Sequence, residues 1–134
     1  LFNNQQKQIG GKMKGKISFS HIEKELLPEM RNKLNLAEDS VDVSNHFKFT
    51  MVNLLQKVFA NDPLEFKTDD IAFNPDSQDY FSVNPNLLNH SLFKQTWEES
   101  DLPNVVKRFA DTSYHRYIHL NKHLEKTKLK IRKG

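Results

Sequence analysis

Leu102, Val106, Phe109, Ser113, Tyr117, Leu120 and Leu124 recur at steps of three or four residues, and no other feature of the chain limits its fold as strongly. The period is that of an α-helix, so these positions form one stripe along about six turns. The stripe cannot stay in water on its own, and other helices are needed to cover it. Its helix is predicted to open at Ser100 or Asp101, with Pro103 in the first turn, where a missing backbone donor is harmless, and to run at least to Leu124.

Three further stretches supply candidate partners. Ser20 and Glu23 have the spacing of a capping box, and Ile22, Leu26, Leu27, Met30 and Leu34 follow on one face. Pro28 falls inside this run and predicts either a kink or a helix that begins near Leu27. Ser44 is the expected cap of a second helix carrying Phe47, Met51, Leu54, Leu55, Val58 and Phe59, which ends at Asn61-Asp62-Pro63. Phe49 and Val52 widen its apolar face, predicting burial against more than one neighbour. Asn84-Pro85 opens a third helix expected to reach about Glu99, with Leu88, Leu92 and Thr96 on one stripe and Phe93 and Trp97 beside it. Between the second and third helices, Asp62, Glu65, Asp69, Asp70, Asp76 and Asp79 stand against a single Lys67, and Pro63 and Pro75 break any long helix. Leu64, Phe66, Ile71 and Phe73 are expected to pin this acidic loop to the core in preference to forming a strand pair.

The expected fold is therefore all-α: a four-helix bundle-like domain over residues 17–125, with an irregular acidic loop and flexible basic termini at 1–16 and 126–134. The 134 residues are enough for one core and too few for two. The chain opens at Leu1, so its leading residues read as a processed or excised start, with Met13 a candidate native one. No apolar run approaches the length of a membrane span, so a soluble, cytoplasmic chain is expected. Without cysteine there is no disulfide, iron–sulfur cluster, thiolate zinc site or thiol nucleophile. No glycine-rich phosphate loop, dinucleotide fingerprint or nucleophile elbow is present either, so no cofactor is expected and a non-enzymatic role is favoured.

Charge is unevenly distributed. Residues 1–16 carry four lysines and no acid, residues 17–103 carry seven basic and 15 acidic side chains, and residues 104–134 carry nine basic and two acidic ones. Two basic ends thus flank an acidic middle, within a net charge of +3. Lys107, Arg108, Arg116, Lys122, Lys126, Lys128, Lys130, Arg132 and Lys133 form a candidate surface for phosphate or another anion, with Tyr114 and Tyr117 as aromatic faces close by. The leading expectation is an interaction module that contacts nucleic acid or an acidic protein through this last helix. A homo-oligomer is also expected, the acidic middle of one copy facing the basic helix of another. Tyr80, Phe81, Leu87 and Trp97 would anchor that interface or else complete the core. A helical scaffold with no ligand is a further alternative.

His115, His119 and His123 add a metal question. They lie at i, i+4 and i+8, so the outer two are about 12 Å apart along the axis and cannot share one ion. A neighbouring pair makes half a zinc site and needs ligands from elsewhere, which leaves solvent-facing histidines as the favoured reading. The same residues enter a second pattern: Arg108 precedes His115 by seven positions, and Arg116 precedes His123 by seven. Over residues 108–123 this resembles the Arg-x4–6-His signature of the HEPN superfamily, small all-α domains of which many are dimeric, metal-independent ribonucleases. The resemblance implies an alternative activity, RNA cleavage with Arg116 and His123 presenting a cation beside a general acid/base.

Overall fold

A computed structural model of the chain describes residues 17–62 and 64–133, with side chains described from 17 to 122. The basic segment 1–16 and the helix-stopping Pro63 lie outside the described residues. In order along the chain come α1 (Ser20–Asn35), α2 (Ser40–Val58), β1 (Ile71–Phe73), β2 (Phe81–Val83), α3 (Pro85–Leu88), α4 (Ser91–Glu99) and α5 (Leu102–Lys133). The molecule is mostly helical. Helices α1, α2 and α5 pack against one another, and the shorter α4 lies against α5.

The core is where the heptad-like periodicities intersect. Ile22, Leu26, Met30 and Leu34 of α1 meet Val43, Phe47, Met51, Leu54 and Leu55 of α2, and Leu102, Val105, Val106, Phe109, Ala110 and Leu120 of α5. Phe47, Phe93 and Phe109 are wholly buried, and each contributes about 1.5–3 kcal/mol of hydrophobic stabilisation. Two hydroxyls inside this core turn back on their own helices: Thr50 Oγ1 donates to His46 O at 2.7 Å and Ser113 Oγ donates to Phe109 O at 3.0 Å.

Several local expectations are corrected. Helix α1 begins at Ser20 without a side-chain cap, and Glu23 reaches across to α5 instead of closing a capping box. It also runs uninterrupted through Pro28, which lies on its exposed face. Helix α2 starts four residues before Ser44, where Asp39 accepts from the Asp42 amide at 2.9 Å. The expected third helix is two, α3 and α4, separated at Asn89-His90. Leu87 and Phe93 are both buried, yet in one continuous helix they would point about 120° apart, and the break lets both face the core. Residues 126–133, expected as a frayed tail, continue the α5 backbone to Lys133.

The acidic connection is partly ordered into a hairpin. Ile71 pairs with Val83, Ala72 with Ser82 and Phe73 with Phe81 in antiparallel register, so a strand pair does form, and Ile71 and Phe73 bury their side chains in the core from it while Leu64 and Phe66 pack against the core as expected. Turn chemistry makes this possible: Asn74 Oδ1 accepts from the Asp76 amide, and the single Ser77 hydroxyl hydrogen is shared between the carbonyls of Asn74 and Phe81. Tyr80 closes the turn at φ 68°, a left-handed conformation unfavourable for a side chain with a Cβ. Its ring is held by a stack on Tyr114, with centroids 3.8 Å apart and planes 5° from parallel.

Candidate anion-binding cleft

Helices α1 and α5 run side by side in the same direction, and polar contacts join them at three levels. At the start, Asp101 accepts from Ser18 Oγ and from the Phe19 amide, both at 2.8 Å, while the Asp101 amide donates to Ile17 O at 3.0 Å. One level up, Arg108 forks onto Glu23, with Nε 2.6 Å from Oε2 and Nη2 2.8 Å from Oε1. This hydrogen bond raises the Arg108 pKa above its ordinary value, outweighing a smaller opposing effect of burial. At the far end, Arg116 Nη2 donates to Asn35 O at 3.2 Å and Ala37 O at 2.9 Å, satisfying carbonyls that the end of α1 leaves without intrahelical partners.

The expected anion surface is therefore reduced. Arg108 is paired with Glu23, and Lys107 Nζ lies 3.2 Å from Asp111 and 3.8 Å from Asp79. The aromatic faces are also engaged, Tyr114 on Tyr80 and Tyr117 edge-on to Phe73 at 5.7 Å. Lys122 is exposed and forms no ion pair among the described residues. The side chains of His123, Lys126, Lys128, Lys130, Arg132 and Lys133 lie outside the described residues.

Among the described residues, two arginines and two histidines meet in one place. Arg31, Leu34 and Asn35 of α1 and Thr112, His115, Arg116 and His119 of α5 line a cleft of about 250 Å³ with no carboxylate in its wall. The α5 residues sit at i, i+3, i+4 and i+7, and the α1 residues at i, i+3 and i+4, so each set forms a single helical face. Arg31, His115 and His119 are exposed, and Arg31 has no acidic partner among the described residues. Arg116 Nε is buried and finds no hydrogen-bond acceptor among the described residues. A buried charged donor left in that state costs about 1–3 kcal/mol.

The sequence had suggested Arg116, His115 and His119 for separate reasons, and the fold brings all three into one wall. Arg31 was not among the expected site residues, because on α1 alone it reads as part of the solvent-facing side; only the pairing of α1 with α5 gives it neighbours. No group of three or more His, Asp or Glu side chains among the described residues is arranged to hold a metal ion. The anchors expected for an oligomer pack within the chain: Leu87 is buried, Trp97 lies 5.5 Å from Phe93 and 6.2 Å from Phe81, and Tyr80 stacks on Tyr114. No protein-family model, no curated protein and no solved structure matches this chain. No helix among the described residues is long and apolar enough to cross a membrane.

Proposed function

We propose that this chain is built as a bundle of four main helices, α1, α2, α4 and α5, and is a non-enzymatic interaction module that binds nucleic acid through the positive side of α5. The observation that carries this reading is the convergence of Arg31, His115, Arg116 and His119 on a cleft whose wall holds no carboxylate. Lys122, one turn beyond His119, extends the same positive region. An arginine offers donors in a planar array suited to phosphate, and an imidazole offers at least one N–H in either tautomer. The ribonuclease reading stands behind this one because it needs His123 beside Arg116, and the side chain of His123 lies outside the described residues.

Fluorescence anisotropy with a short single-stranded RNA, titrated from 50 to 200 mM salt, tests the proposal. Binding should weaken as salt rises, and Lys122→Glu combined with Arg31→Glu should lower affinity about tenfold or more. Absence of binding at the lowest salt, or indifference to the double substitution, overturns it. Equal binding of an acidic peptide replaces nucleic acid with an acidic protein as the partner.

A further inference from the structure

The cleft also points to which part of a nucleic acid it takes, an inference that rests on the function just proposed. We infer that it captures a terminal phosphate monoester rather than a run of internal phosphates. Four observations converge on this reading. Lys107 and Arg108, which would continue a phosphate track along α5, are engaged by Asp79, Asp111 and Glu23. A backbone tracked over several nucleotides needs a row of available cations, whereas among the described side chains of α5 only Arg116 and Lys122 stand outside ion pairs.

The second observation is size. At about 250 Å³ the cleft is below the range of about 300–1,000 Å³ that encloses whole small-molecule ligands. It has room for a phosphoryl group and its ester oxygen, with the nucleoside outside. Third, no Phe, Tyr or Trp lines it, and Tyr114 and Tyr117 are occupied by Tyr80 and Phe73. The large aromatic faces on which unpaired bases stack are therefore not built into this wall, and recognition rests chiefly on the phosphate.

The fourth is the number and placement of donors. A monoester carries about −1.5 to −2 charges and three terminal oxygens, whereas each backbone diester carries one charge. Arg116 Nη2 uses its two hydrogens on Asn35 O and Ala37 O, leaving the Nη1 pair. Arg31 from the opposite helix and the imidazoles of His115 and His119 complete a set of donors on two sides of one small volume. A group with three acceptor oxygens matches that set better than one with two. The shared chemistry is a phosphate group with at least three terminal oxygens, whether it ends a polynucleotide, belongs to a free nucleotide or is inorganic phosphate.

The test compares one short RNA sequence in 5′-phosphorylated, 3′-phosphorylated and unphosphorylated forms, with adenosine monophosphate and inorganic phosphate as competitors. Histidine side-chain NMR signals report occupancy of the cleft directly. A phosphorylated end should bind about ten- to a hundredfold tighter than the unphosphorylated RNA, as expected for one or two charge-assisted hydrogen bonds. The signals of His115 and His119 should move on addition of that RNA, and Arg31→Ala should abolish the preference while Arg31→Lys restores part of it. Competition by adenosine monophosphate but not by inorganic phosphate assigns the site to nucleotide ends, and competition by both assigns it to the phosphate group itself. Equal affinity for all three RNAs, with binding still sensitive to Lys122→Glu, overturns this inference and leaves the proposed function standing. No binding of any RNA overturns both.

Discussion

Asp101 illustrates how much one side chain holds in this molecule. Its carboxylate receives the Ser18 hydroxyl and the Phe19 amide while its backbone amide reaches Ile17, so it does for α1 what a local cap would have done. Asp101→Ala should lower stability by about 1–2 kcal/mol in urea denaturation, and Asp101→Asn, which keeps one acceptor, should recover about half. None of this was legible at Ser20 and Glu23, where the spacing suggested a capping box. The partners that displaced it, Asp101 and Arg108, lie more than 80 positions away, and nearest-neighbour patterns carry no information at that range. Arg31 shows the same limit from the other side, since a charged residue on an outer helical face acquires a role only from the helix beside it.

At the scale of elements, periodicity was reliable wherever it was long. The α5 stripe and the α2 face were placed from their apolar spacing, because burial of one face fixes helix phase with little help from elsewhere. Short elements followed other rules. The β1–β2 hairpin depends on the turn formed by Asn74, Asp76 and Ser77, and the separation of α3 from α4 answers to the burial of both Leu87 and Phe93. The hairpin is also where backbone strain sits, at Tyr80, and the ring of Tyr114 holds it there. Tyr114→Ala should remove about 0.5–1.5 kcal/mol of stacking and selectively speed hydrogen exchange at the Asn74 amide, which donates to Tyr80 O at 2.8 Å. Unchanged exchange at Asn74 would show that the turn holds itself. Helix α2 packs against α1, α5 and β1, the several neighbours its broad apolar face predicted, but Phe49, expected to widen that face, is 55% exposed.

Across the whole molecule, opposite charges separated in sequence are brought together by folding. Glu23 with Arg108, Asp79 with Lys107 and Glu25 with Lys57 are three such pairs, and the first two lower the positive potential along α5. Removing that self-neutralisation should strengthen binding to a polyanion. Glu23→Gln with Asp111→Asn should raise RNA affinity at low salt and steepen its logarithmic salt dependence by about 0.7 for each cation that becomes available, at a cost of about 1 kcal/mol in stability. An unchanged slope would mean that Lys107 and Arg108 cannot reach the ligand. The amount and sign of charge were evident from the residue order, but how much of it would remain uncancelled was not, because cancellation depends on which surfaces the fold apposes.

The three levels of attachment between α1 and α5 also bear on synthesis. Ile17 through Ala37 are gripped by residues between Ser100 and Arg116, so a nascent chain holds a hairpin of α1 and α2 whose inner side waits for a strip made some 80 residues later. Over that interval α2 alone covers the apolar face of α1, and the side that α5 later closes stays exposed to premature association.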